Sequence, residues 1–390
     1  MKKILIIMIS IIVLQGCVNN SGDVVNDDNI SEETTIEVSQ GAYEYVEFEY
    51  DYPKMSEVPS EYKPDGYEYF EGEEDKIKQI ISEELDSERA KLVLNDLSNS
   101  EISQLYRVNL LRILRNLYVE INNGYHVIKT TDELFKENDY IFNSESLVKI
   151  YMNKIYKLSD MDAFVFDKSE RVKLHEYIIS ATNELISVYE KYEVDTKDSY
   201  KVYDSYILMG YMYEMLGDYE NALEAYRNIL EFEDEFETLE FTDDLDFRYY
   251  MVTMAAIRAR NQDEANKYLK KLYEVSPDQG YYLDAVALYF LYFDKAEVAL
   301  STIKELEDNA NVIYPTNASK ERLKMLQIEI YDRLGYGDNI VEYAEELLRL
   351  EPDRFMWIID KGYEEKYDID LHEIKLYYSD KFIKLRDFEF

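Results

Sequence analysis

Residues 206–230 read YILMGYMYEMLGDYENALEAYRNIL, and their spacing decides the fold. Tyr206, Met209, Gly210, Tyr213 and Leu216 recur at helical intervals and line one face of a first helix. Gly217 is suited to end that helix, because a residue without Cβ enters the left-handed conformation freely. Asp218 then supplies a carboxylate able to accept the free N–H groups that open a second helix. Tyr219, Ala222, Leu223, Tyr226, Ile229 and Leu230 form the apolar stripe of that second helix. Gly210 and Ala222 are small where two antiparallel helices have to approach closely. The stretch predicts a helical hairpin.

Three weaker copies follow. Tyr249, Ala256, Ala265, Leu269, Leu272 and Pro277 take matching positions, with Asp263 near the start of the second helix. Ala287, Phe290, Ala299, Ile303 and Leu306 make the next copy, with Asp294 as cap. Tyr331, Gly335, Ile340, Ala344, Leu347 and Pro352 make the last, with Asp338 as cap. Ala265 and Ala299 are 34 residues apart, whereas the steps from Ala222 to Ala265 and from Ala299 to Ile340 are 43 and 41. Insertions at Glu233–Thr242 and Asn309–Asn317 account for the longer steps. Such a period is the mark of a repeat architecture, in which each unit buries its apolar face on the next.

Over residues 200–353 this pattern resembles the tetratricopeptide repeat family, and it departs from the family at Ile229 and Asp234, where a small residue and a proline are usual. The resemblance implies that the first helix of each pair faces a groove. In this chain the implied groove residues are Tyr211, Met215, Tyr250, Met254, Tyr281, Leu288 and Tyr292. Such a groove is aromatic and Met-rich with acidic edges, and it largely lacks the Lys, Arg and Asn of family members that clamp a carboxylate. Tyrosine gives large rigid contact area at low entropic cost, and methionine adapts to varied shapes. The expected guest is a protein or peptide segment that is apolar with basic flanks, steered by the acidic field. A competing arrangement packs these side chains against the helices of residues 74–196 instead.

Outside the repeats the helical spacing continues, for example at Leu105, Val108, Leu111, Leu114 and Leu117 and at Leu174, Tyr177, Ile178 and Leu185. No proline falls between Pro64 and Pro277, and alternating strands with Asn-Gly or Asp-Gly turns are missing. The expected fold class is all-α. Residues 76–196 form a helical region of degenerate repeats or a bundle, 197–353 carry the repeats, and 354–390 form a capping segment. The single Trp, Trp357, is expected as a packing residue within that cap.

The amino end reads MKKILIIMISIIVLQGC. Lys2 and Lys3 precede an apolar run from Ile4 to Leu14, too short to span a bilayer, which needs about 20 residues, yet suited to a secretory signal. Leu14, Gln15, Gly16 and Cys17 resemble a bacterial lipobox, with Gln15 a mild departure. The resemblance implies a signal peptide over 1–16 and a lipidated Cys17. Two or more acyl chains anchor a protein stably. From Val18 to Asp75 eighteen acidic residues meet only Lys54 and Lys63, with Pro53, Pro59 and Pro64 among them. Residues 17–75 therefore read as a self-repelling acidic linker.

Composition excludes several classes. The 390 residues carry 82 acidic and 43 basic side chains, a formal charge of −39, which opposes nucleic-acid binding. One Cys and three His leave no multi-Cys metal site, and His126, His175 and His372 stand apart. No nucleophile elbow, phosphate loop or dinucleotide fingerprint occurs, so neither enzyme activity nor a cofactor is expected. The acidic clusters at Asp243–Asp246 and Asp368–Glu373 lack the tight glycine turn of a calcium loop. The expectation is a lipid-anchored extracytoplasmic lipoprotein of the bacterial cell envelope. It lies on the cell membrane, or on the outer membrane of a two-membrane cell, and acts as a protein-interaction scaffold. The alternative is a solute-binding lipoprotein that grips a sugar or peptide in an aromatic pocket.

Overall fold

A computed structural model describes residues 68–82, 87–137, 144–192, 199–230, 245–275, 280–293, 295–314 and 316–389. The lipobox residues Leu14, Gln15, Gly16 and Cys17, most of the acidic linker, the 233–242 insertion and the expected cap Asp294 lie outside them. The described residues are helical, with no strand among them. None of their helices is long and apolar enough to cross a membrane. The chain divides into two compact units between residues 199 and 200, and residues 375–390 belong with the earlier one.

That earlier unit contains α1 (Glu73–Ser82), α2 (Ser87–Leu97), α3 (Gln104–Glu120), α4 (Gly124–Lys136), α5 (Ser144–Met161) and α6 (Lys168–Tyr192). Helix α1 begins three residues before the expected boundary at 76, because Glu73 is fixed there as a buried acceptor. Its carboxylate takes the Ser103 N–H at 2.9 Å and so ties the start of α1 to the start of α3. Ser103 in turn caps α3 by accepting the Tyr106 N–H at 3.1 Å. Ile77, Ile80, Val93, Tyr106, Leu110, Leu114, Tyr118 and Val127 form one apolar core beneath these helices. Between α5 and α6, Asp162 is almost wholly buried, and Arg171 donates to its carboxylate at 2.8 Å and to the Asp162 and Val165 carbonyls. His175 meets the other Asp162 oxygen at 3.0 Å. Burial opposes charge on Asp162, but the adjoining Arg171 and His175 win and hold its carboxyl below the usual range.

The later unit contains α7 (Ser199–Leu216), α8 (Tyr219–Asn228), α9 (Leu245–Arg258), α10 (Gln262–Val275), α11 (Gly280–Tyr292), α12 (Ala296–Asp308) and the short α13 (Ala310–Ile313). It continues with α14 (Asn317–Leu334), α15 (Gly337–Leu350), α16 (Phe355–Asp360) and α17 (Tyr363–Tyr367). Helix α8 packs on α9, α9 on α10 and α11, α11 on α12 and α14, and α14 on α15. Helices α9, α11 and α14 therefore pack in series, and each also packs on the long helix that follows it. Gly217 sits at φ +75° between α7 and α8, and Asp218 accepts the Asn221 N–H at 3.3 Å. Gly335 closes α14 at φ +77°. Asp338 does not cap α15: that helix starts at Gly337 without a side-chain cap, and Asp338 lies in its first turn. Ala222, Ala256, Ala265, Ala287, Ala299, Ile340 and Ala344 have no exposed surface at all. Fully enclosed in a close-packed interior, they leave no free space for a larger side chain.

The last helix, α18 (His372–Arg386), carries the chain from the later unit into the earlier one, so the 354–390 segment is shared between two cores. Tyr378 and Phe382 pack on Phe164, and Phe382 also meets Tyr125 with ring centroids 5.9 Å apart. Asn123 donates to the Leu385 carbonyl at 3.0 Å.

Candidate functional site

Three helices of the later unit present matching stripes toward one cavity of about 220 Å³. Helix α7 contributes Ile207, Tyr211, Glu214 and Met215, and α14 contributes Ala318, Arg322, Met325 and Leu326. Both sets follow the spacing i, i+4, i+7, i+8, one face of a helix. Helix α9 lies between them in the lining with Phe247, Tyr250, Met251, Met254 and Arg258. Tyr226, Tyr281, Arg354, Trp357 and Lys361 complete the wall.

Five of the seven groove residues expected from sequence thus come together here: Tyr211, Met215, Tyr250, Met254 and Tyr281. Tyr250 and Tyr281 lie with ring centroids 4.8 Å apart. Leu288 and Tyr292 do not line the cavity; both are buried in the apolar core of this unit. The Tyr292 hydroxyl donates to Glu329 of α14 at 2.8 Å, and Arg333 stacks 3.7 Å from its ring centre. Trp357 is buried as the sequence implies, edge-on to Tyr363, and it also faces the cavity.

The charges differ from the expected acidic edges. Four cations, Arg258, Arg322, Arg354 and Lys361, line the cavity beside a single carboxylate, Glu214. Arg258 joins three helices, bonding Glu214 at 3.1 Å and Glu329 at 2.8 Å. Arg322 pairs through Nε with buried Asp284, which also accepts the Tyr314 hydroxyl. Arg354 pairs with Glu321 at 3.0 Å. Lys361 donates to the Glu214 carbonyl at 3.1 Å and the Tyr219 hydroxyl at 3.2 Å. Glu329, Asp284 and Glu321 are buried and do not belong to the lining.

Room for Arg322 is made by Gly280, since a Cβ there would fall 2.6 Å from Nη2. The guanidinium carbon lies 4.2 Å from the Tyr281 ring centre, a cation–π contact. Burial works against the charge on Arg322 and on Arg258, but the adjacent carboxylates outweigh it and raise both above the ordinary arginine value. Burial likewise raises Tyr226 and Tyr250, so their phenols stay neutral. The lining has no His or Cys, and its only carboxylate is committed to Arg258. Such a wall offers fixed cationic donors among aromatic and Met surfaces, which suits recognition.

Arg322, Arg354 and Lys361 escaped the sequence reading, which took the 354–362 stretch for a cap and left the inner face of the last copy unassigned. The signal was present as Ala318, Arg322, Met325 and Leu326, the same spacing as Ile207, Tyr211, Glu214 and Met215. No protein-family model matches the chain, and a search of curated proteins finds no match.

Proposed function

We propose that residues 197–353 are a tetratricopeptide-like array and that the chain is a lipoprotein scaffold without catalytic activity. Lipidated at Cys17 and extracytoplasmic, it would hold a partner protein or peptide at a bacterial membrane. The observation that carries the binding part is the convergence of like-spaced stripes from α7, α9 and α14 on one cavity. At about 220 Å³ that cavity is smaller than the roughly 300–1,000 Å³ of sites that enclose a whole small ligand. Its size matches one anchoring group of a longer partner, the kind of buried contact that dominates protein interfaces. This size argument favours the scaffold over the solute-binding alternative. The acidic body still draws the partner's basic flanks by long-range attraction.

The test is a photo-crosslinking residue placed at Met254 in the native cell, followed by mass spectrometry of the adduct. Tyr250→Ala combined with Tyr281→Ala should reduce recovery of that adduct at least tenfold while helical circular dichroism persists. Undiminished recovery would overturn the assignment of the cavity as the binding site.

A further inference from the structure

We infer that a second cavity of the later unit binds a neutral, polyhydroxylated molecule of one or two sugar rings. This cavity measures about 460 Å³, within the roughly 300–1,000 Å³ of small-ligand sites. Lys320, Leu323, Lys324 and Gln327 of α14 line it, on the helix face opposite Ala318, Arg322, Met325 and Leu326. It shares no lining residue with the first cavity, so the two sites stand or fall separately.

The wall is polarised along two turns of α14. At one end Gln327 has no exposed surface, and its amide nitrogen donates to Glu307 of α12. That bond fixes the amide's orientation, because the reversed amide would set its oxygen against a carboxylate. Gln327 Oε1 then meets no donor among the described residues. Tyr343 donates to the same Glu307 oxygen at 2.6 Å, and Glu307 Oε2 receives no donor among the described residues. A buried acceptor left unpaired is costly, and a donor brought into the cavity relieves that cost. At the other end the Lys320 ammonium has no partner among the described residues. Arg349 of α15 reaches only Glu345 on its own helix, through Nε to the carbonyl at 3.2 Å. Lys324, between the two ends, is committed to Glu346 at 2.5 Å.

Open acceptors at one end and open donors at the other select the ligand. A bare anion carries no proton for the Glu307 and Gln327 oxygens. An ammonium brings protons but meets Lys320, Lys324 and Arg349, which outnumber Glu307 and Glu346 in the wall. A hydroxyl donates and accepts, so a ring of hydroxyls serves both ends without adding charge. Gln327 Oε1 is closed to solvent, so a hydroxyl seated against Glu307 reaches it by a rotamer change of the kind common on binding. Residues 320 to 327 rise about 10 Å along the helix, the length of two linked sugar rings. Ala310, Leu323 and Leu350 supply apolar surface for the C–H face of such a ring.

The experiment is isothermal titration calorimetry of the purified full chain with glucose, maltose, N-acetylglucosamine and chitobiose. Inorganic phosphate and spermidine serve as the charged probes. At least one of the sugars should bind saturably, and neither charged probe should displace it. Lys320→Ala, at a half-buried position, should weaken that sugar by about tenfold with helical circular dichroism unchanged. Gln327→Met, which keeps the shape and removes the acceptor, should do the same. Tyr250→Ala, in the first cavity, should leave the sugar's affinity as it was. No saturable heat from any of the sugars, displacement by phosphate or spermidine, or parent-like affinity in Lys320→Ala would each overturn the assignment. Loss of the sugar in Tyr250→Ala would also overturn it, by moving the ligand to the first cavity. Should Gln327→Met fail to fold, Lys320→Ala decides alone.

Discussion

Single atoms decide how closely the hairpin of α7 and α8 can pack. A methyl group at Gly210 would lie 2.3 Å from a ring carbon of Tyr226, whose side chain is 3% exposed and has nowhere to retreat. Gly210→Ala should therefore destabilise the fold by about 1–3 kcal/mol. This is despite the gain of roughly 1 kcal/mol that alanine brings to a helix interior. Urea unfolding midpoints check it: a midpoint at or above the parent's would show that the close approach is not strained. The glycine and the alanines were legible in the sequence because a missing side chain has one physical meaning at helical spacing. Leu288 and Tyr292 were not. Helix α11 reads GYYLDAVALYFLY, apolar on every side, so periodicity cannot say which face another helix covers.

At the scale of elements, Arg258 staples α9 to α7 through Glu214 and to α14 through Glu329. Burial pushes the Glu329 carboxyl up, but the Arg258 charge and its hydrogen bond prevail and hold it at about 2. A carboxyl depressed in the folded state binds its proton first in the unfolded chain. Its contribution is therefore complete above about 4.5, and it is lost as pH falls toward about 2. Glu329→Gln should be less stable than the parent at neutral pH, and the gap should close across that acid window. Chemical denaturation at several pH values measures it, and a gap that stays constant would refute the linkage. The staple joins residues 214, 258 and 329, each charged and each at an ordinary helical position. Pairing across more than seventy residues of sequence is set by which helices stack, and one sequence read alone does not encode that order visibly.

For the whole molecule, the excess of acidic side chains sets the long-range field. A chain with a formal charge of −39 repels other acidic surfaces at long range, while screening confines that field to about 8 Å at physiological ionic strength. The lipid anchor proposed at Cys17 would hold such a body at a membrane whatever the sign of the lipid headgroups. Metabolic labelling with a palmitate analogue should mark the parent and spare Cys17→Ala; equal label in both would remove the anchor. All-helical architecture was legible along the chain from its periodicity. The fate of the carboxyl-terminal stretch was not, because HEIKLYYSDKFIKLR spreads its apolar residues around the helix and so does not mark Tyr378 and Phe382 as the ones a core receives.

That stretch governs the order in which the molecule can be completed. Phe382 and Tyr378 fill space against Tyr125 and Phe164, more than two hundred residues upstream. A ribosome delivers Phe164 long before it delivers Phe382, so the earlier core must wait, partly open, while the hairpins of residues 200–374 are made. Closing it late requires a long loop of chain to return, which slows the final step and leaves apolar surface bare in the meantime. Stop codons or fusion tags placed near residue 375 would thus damage the half of the protein farthest from them in sequence.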